Sequence, residues 1–194
     1  MKKLEERIQK EGIVRKEEDI LQIDMFLNHQ IDTELMNEIG KEFYKIFKDT
    51  KPDKILTIES SGIAIASFTS IYFDYCPVVY AKKSEALNMD DKYFVARERS
   101  YTRAKDVSVR VSKNYLKENE RVLIIDDFLA TGEALNSLIE ICRQANCKIV
   151  GCGITDCKVY QPGLKRINDL GIDVKCLAKI KKLDKEVIEF EEDK

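Results

Sequence analysis

Four consecutive apolar residues, Val122-Leu123-Ile124-Ile125, run directly into two adjacent carboxylates, Asp126 and Asp127. A run so short and so apolar reads as a strand buried on both faces. Such a strand carries the two charges out to the edge of its sheet, where water or a ligand can meet them. Thr131-Gly132 then opens a helix over about residues 132–145, with Leu135, Leu138, Ile139 and Cys142 along one face. Strand, short loop and helix in this order constrain the chain to an α/β layout.

The rest of the sequence repeats the unit. A strand over 55–58 leads through Glu59-Ser60-Ser61-Gly62 into an apolar helical stretch over 63–71. Further strands are expected at 77–81, at Val107, Val109 and Val111, and at 148–155, 174–180 and 187–190. A charged helix is expected over 2–11 and a short one after Pro162. Asp32 offers an N-cap to a longer helix, in which Leu35, Met36, Ile39, Phe43, Ile46 and Phe47 recur at helical spacing. Alternating strands and helices predict a doubly wound, mainly parallel sheet, with ligands beyond the carboxyl ends of its strands. The 194 residues suit one domain.

Composition removes several function classes. Hydrophobic residues are 44% and charged residues 35% of the chain, as in an ordered soluble domain. A net charge of -2 gives no general attraction to nucleic acid or to an anionic membrane, so neither is expected as a partner. Lys2-Lys3 is followed by no apolar stretch, and no run spans a bilayer, so a cytoplasmic protein is expected. Cys142, Cys147, Cys152 and Cys157 fall every fifth residue among six cysteines. With Cys142 on a helix and Cys147 and Cys152 an odd number apart on a strand, they are read as packing thiols rather than zinc ligands.

The segment 122–134 points to a particular ligand. Free N–H groups at the helix start can hold a phosphate, Gly132 lets the backbone come close, and the Thr131 hydroxyl adds a bond. Asp126 and Asp127 repel a phosphate but accept from sugar hydroxyls. A ligand with a phosphate beside a diol, such as a ribose 5-phosphate, satisfies both.

This segment resembles the signature of type I phosphoribosyltransferases, which use phosphoribosyl diphosphate (PRPP). Residues 24–32, 57–62, 123–132 and Gln161-Pro162-Gly163 resemble, within that family, the bacterial xanthine phosphoribosyltransferases. The loop has Ala130-Thr131-Gly132-Glu133 where that group is expected to have Ala-Asn-Gly-Gln. The resemblance implies catalytic roles for Asp126 and Asp127 and PRPP binding by Ala130, Thr131, Gly132, Glu133 and Ala134. It implies a diphosphate loop at Glu59, Ser60, Ser61 and Gly62, with a non-proline cis peptide there. Leu21, Asn28 and Lys158 would border the purine, with Lys158 just past a strand end. It further implies Mg2+ travelling with PRPP, no protein metal site, a homodimer, and a hood from about residues 1–32 and 158–194.

Residues 82–106 are highly charged and show little periodicity, so most of them are read as an excursion from the sheet. Lys82, Lys83, Lys92, Arg97, Arg99, Arg103 and Lys105 would suit a lid over a diphosphate, and Ser100-Tyr101-Thr102 resembles the family's lid motif. His29, the only histidine, is read as structural. The expected reaction is salvage of xanthine to xanthosine 5'-monophosphate. The alternatives are a PRPP-binding regulator of the purine operon repressor kind, or an enzyme for hypoxanthine, guanine or adenine. A repressor would carry an additional DNA-binding domain before residues 24–32, for which this chain leaves no room.

Overall fold

The computed structural model describes residues 1–15, 17, 19–84, 92–98, 107–184 and 187–191. Its helices are α1 (Lys2–Glu11), α2 (Thr33–Phe47), α3 (Ser61–Tyr72), α4 (Glu133–Gln144) and α5 (Gly163–Asn168). Strands β1 (Ile13–Arg15) and β2 (Ile20–Gln22) form a small antiparallel pair. The main sheet contains β3 (Lys54–Ile58), β4 (Val78–Ser84), β5 (Tyr93–Glu98), β6 (Val107–Ser112), β7 (Arg121–Leu129), β8 (Lys148–Lys158), β9 (Val174–Leu183) and β10 (Ile188–Phe190). Their order across the sheet is β10-β9-β8-β7-β3-β4-β6-β5. From β9 to β4 the neighbours are parallel; β10 on one edge and β6 and β5 on the other run antiparallel. The expected doubly wound, mainly parallel sheet is therefore present.

Strand alternation explains the two cores. Leu123 and Ile125 of β7 pack on one face with Ile55 and with Leu4, Ile8, Met36, Phe43 and Ile65 of α1 to α3. Val122 and Ile124 pack on the other with Leu56, Cys152, Ile154 and with Leu135, Leu138 and Ile139 of α4. α2 begins where Asp32 predicts it: the Asp32 carboxylate accepts the Leu35 N–H at 3.1 Å. Cys142 and Cys152 lie buried in the core under α4, where burial pushes the Cys152 thiol up to about 12. Among the described residues no helix is long and apolar enough to cross a membrane.

Three expectations are corrected. β7 does not stop before the Asp pair but continues through it to Leu129, because parallel pairing with β8 persists at Phe128↔Asp156 and Leu129↔Cys157. β8 likewise runs on to Lys158. The excursion over 82–106 contains a strand, β5, zipped to β6 and tied to α4 by the Gln144 side chain, which bonds Val95 N and O at 3.1 and 2.8 Å. Residues 85–91 and 99–106, with Arg99, Ser100, Tyr101, Arg103 and Lys105, lie outside the described residues.

Deep in the sheet, Asp156 stands between Phe128 of β7 and Ala178 of β9. It is fully buried, and among the described residues neither carboxylate oxygen has a hydrogen-bond partner. Burial, and then the charge of Asp127, push its carboxyl well above the usual range. A carboxyl whose folded pKa lies above its unfolded value binds its proton more tightly when folded. Its presence then costs stability as pH rises from the ordinary carboxylate range through the raised value. Asp156→Asn should therefore raise Tm relative to the parent, and by more at pH 8 than at pH 5. Calorimetry at the two pH values measures this; an equal difference at both would show that Asp156 ionises without penalty.

Candidate active site

β3 and β7 are adjacent and parallel, with Ile55 level with Leu123 and Leu56 level with Ile124. Their carboxyl ends therefore deliver two loops at the same height. The β3 loop holds a non-proline cis peptide, Glu59–Ser60, as the family resemblance implied. Glu59 is fixed across to the next strand: its Oε1 accepts the Lys83 N–H at 2.6 Å. Ser60 precedes α3 and makes no side-chain cap. The β7 loop ends on Gly132, in the left-handed region at φ 84°, and α4 also begins without a side-chain cap. Two helix starts thus leave their first-turn N–H groups uncapped at one edge of the sheet, each with the positive end of its dipole.

Close packing locks the loops together. A Cβ on Gly62 would lie 2.1 Å from Thr57 Oγ1 and 2.8 Å from Asp126 Oδ1, so only glycine fits where α3 crosses the ends of β3 and β7. A Cβ on Gly132 would come within 3.1 Å of Gly163 Cα, and one on Gly163 within 2.3 Å of the Ala130 carbonyl oxygen. Gly163 N–H donates to that same oxygen at 3.0 Å. The turn containing Gln161-Pro162-Gly163 therefore buttresses the phosphate-type loop. Glu133 ion-pairs with Arg166 of α5.

The two carboxylates are unequal. Asp126 is buried, and its Oδ1 accepts the Asp127 N–H at 3.0 Å. Burial and then the neighbouring Asp127 push the Asp126 carboxyl well above the usual range, with Lys83 opposing. Burial raises Asp127 too, but bonds from Asp126, from the Phe128 N–H and from the Ser61 hydroxyl pull it back. Both carboxyls are raised, Asp126 the more strongly, so charge is disfavoured most on Asp126.

A second cluster lies at the end of β8. Lys158, expected just past the strand, is its last residue and is almost fully buried, with its side chain 5% exposed. Its ammonium stands 5.5 Å from the centroid of the Phe128 ring. It donates to the backbone oxygen of Asp19, and the Asp19 carboxylate lies 3.4 Å away. Tyr160 OH donates to the same carboxylate at 2.6 Å, and Gln161 Nε2 donates to its other oxygen. Burial pulls the Lys158 ammonium below the ordinary lysine range, against the pull of Asp19. Burial also opposes ionisation of Asp19, but Tyr160, Gln161 and Lys158 outweigh it and hold that carboxyl low.

The structure thus joins Glu59 to Gly62 with Asp126 and Asp127, and places Ala130 to Ala134 beside them. Leu21, on β2, is buried in the core under α1 and α2, whereas Asn28 is exposed at the end of a π-helical turn, Asp24–Asn28. Among the described residues no hydrogen bond joins Asn28 to the Lys158 cluster. His29 is exposed, and its backbone N–H closes that turn on the Asp24 oxygen at 3.1 Å. Sequence reasoning missed Phe128, Asp19 and Tyr160. The one signal for Phe128 was its place directly after the Asp pair; Asp19 meets Lys158 across 139 positions, with no local pattern to announce it.

Residues 28–193 match the phosphoribosyl transferase domain family. Xanthine phosphoribosyltransferase 1 of Clostridium perfringens is 52% identical over 190 residues, covering 98% of this chain and all of that one. Xanthine phosphoribosyltransferase of Clostridioides difficile is 47% identical over 192 residues, again 98% of this chain and all of the relative. Among solved structures, adenine phosphoribosyltransferase from Rhodothermus marinus superposes with a TM-score of 0.72 at 19% identity, covering 93% of this chain and 100% of that one. The Trypanosoma brucei adenine enzyme, in complex with AMP, pyrophosphate and ribose-5-phosphate, gives 0.71 at 16% identity over 91% and 79%. The sheet order, the paired loops and these matches together make the chain a member of the phosphoribosyl transferase domain family.

Proposed function

We infer that the chain is a purine salvage enzyme that transfers the 5-phosphoribosyl group of PRPP to xanthine, giving xanthosine 5'-monophosphate and diphosphate. One observation carries this reading: an Asp pair set between two uncapped helix starts, matching a diol between two phosphate-bearing ends. Relatives named for xanthine over their full length favour that base, and an enzyme rather than a purine operon regulator.

In this reading the start of α4, with Ala130, Thr131, Gly132, Glu133 and Ala134, binds the 5-phosphate, largely through backbone N–H groups. Glu59, Ser60, Ser61 and Gly62 meet the diphosphate at the start of α3. Leu21, Asn28 and Lys158 border the purine. Ser100 and Tyr101 belong to a lid over about 82–106, and residues 1–32 and 158–194 supply a hood. A ring nitrogen of xanthine bonds to the sugar's C1 as the C1–O bond breaks; that electron pair leaves with the diphosphate, and the purine's proton passes to solvent. Positive charge develops on the sugar meanwhile. In this reading Asp127 stabilises that charge, and Asp126 holds Asp127 in place by accepting its N–H.

The residues present also fit Mg2+. Asp126 and Asp127 offer hard oxygen donors, while among the described residues no three acidic, His or Cys side chains converge to cage a metal. Such an ion would take most of its ligands from PRPP, with Asp127 beside it, and would offset the charge of the leaving diphosphate. The reading includes a cytoplasmic homodimer that binds neither nucleic acid nor membrane.

Diphosphate release from PRPP across a panel of purines tests the reading. Xanthine should give the highest kcat/KM. Faster turnover of hypoxanthine, guanine or adenine would change the base, and PRPP binding without turnover would favour the regulator. Asp127→Asn should lower kcat by about 100-fold with PRPP affinity nearly kept, because the amide still bonds hydroxyls but carries no charge. Asp126→Asn should cost clearly less, since burial disfavours charge on Asp126 more strongly than on Asp127. Equal losses, or a change confined to KM, would contradict these roles. Lys158→Met should lower kcat/KM for xanthine by about one to two decades, the worth of a charged hydrogen bond. It should also narrow the gap to adenine, whose 6-amino group faces an ammonium as donor against donor. An unchanged purine preference would place the base elsewhere.

A further inference from the structure

Lys158 does not stand free at the end of β8: Asp19, from the connection between β1 and β2, bonds it and the Phe128 ring of β7 lies beside it, while Tyr160, from the turn after β8, holds Asp19. Asp19 is the centre of the set. It takes the Lys158 ammonium on its backbone oxygen, keeps its carboxylate 3.4 Å from it, and has both carboxylate oxygens tied by Tyr160 and Gln161. Its backbone is in the left-handed region, at φ 50°. A long, four-carbon side chain such as lysine loses much rotamer freedom when fixed in one place. A pre-set clamp removes that cost from substrate binding.

We propose that Asp19 is a positioning residue for purine selection: with Tyr160 and Gln161 it clamps Lys158 against the Phe128 ring, so that one remaining N–H is presented to the exocyclic oxygen of an oxo purine. An ammonium has three donors. Asp19 engages Lys158 through its backbone oxygen and its carboxylate, which leaves one donor for the base. The clamp also favours the charged form. Lys158 is buried enough to lose charge readily, and among the described residues Asp19 is the charged group that opposes this. The neighbouring Tyr160 phenol is raised by burial and by its bond to Asp19, so it stays neutral and remains a donor. The proposal rests on the assignment of Lys158 to the base.

The test replaces Asp19 by Asn, which tolerates the left-handed backbone and keeps an acceptor while removing the charge. Tyr160→Phe serves as the second variant, since it unties one carboxylate oxygen without touching Asp19. The Lys158 side-chain resonance, assigned by its loss in Lys158→Met, reports the pKa of its ammonium directly. In Asp19→Asn that pKa should fall. The KM for xanthine should rise about tenfold, roughly one charge-assisted hydrogen bond. The alkaline limb of kcat/KM should move to lower pH, with kcat and PRPP affinity near the parent's. Tyr160→Phe should shift all three readouts in the same direction by less. In a Lys158→Met background, Asp19→Asn should have no further effect on xanthine. An unmoved Lys158 pKa, or a moved pKa with an unmoved KM and alkaline limb, overturns the proposal. If Lys158→Met alone also leaves the purine preference unchanged, the fault lies in the assignment of the base site; if it does not, only the clamp fails.

Discussion

The site depends on how tightly the first turn of α3 crosses the ends of two neighbouring parallel strands. At Gly62 the backbone comes so near Thr57 and Asp126 that no side chain fits between them. This contact exists because β3 and β7 are paired in register, which brings their carboxyl ends to a common level. Two loops far apart in sequence are thereby brought side by side at one edge of the sheet. Moving β7 by one residue would turn Asp126 to the other face, and moving β3 would do the same to Thr57; either breaks the set. The buried apolar alternation of β7, with Val122 and Ile124 on one side and Leu123 and Ile125 on the other, fixes that register.

Burial gives the carboxyls near this edge different behaviours. Asp156 has no hydrogen-bond partner among the described residues and is pushed well above the usual range by desolvation. Asp126 is also desolvated and stands beside another carboxyl, which pushes it further up. Asp127 gathers bonds from a backbone N–H and the Ser61 hydroxyl, which lets it carry charge. Asp19, the most exposed, is ionised because donors from three residues surround it. The differences follow from donor supply, since all four residues share the same intrinsic acidity.

Much of this was legible in the residues themselves. The strand-to-helix passage at 122–134, the cap at Asp32 and the parallel layout all rest on local patterns, and each is present in the structure. What local patterns could not convey was set by distant pairing. β7 and β8 outrun their apolar cores because each satisfies the other's backbone groups, so neither end is marked by a change in side-chain type. β5 sits among charges with no clean alternation and is held by β6 and by Gln144. The residues Asp126, Asp127 and Gly132 could be read together because they lie within one short segment. The partner of Lys158 could not be, because Asp19 meets it across 139 positions.

The interlocked glycines have a consequence for how such a chain can vary. Gly132 and Gly163 face one another with no space for a methyl group, and Gly163 also hangs from the Ala130 carbonyl. Two positions upstream of Gly163 lies Gln161, which holds Asp19. The loop at Ala130 to Gly132 and the turn at Gln161 to Gly163 are thus a single mechanical part. A side chain at either glycine would be transmitted through Gln161 to Asp19 and Lys158. Asp19 and Phe128 reach Lys158 from outside that turn, so a change at either leaves the contact between the two glycines untouched.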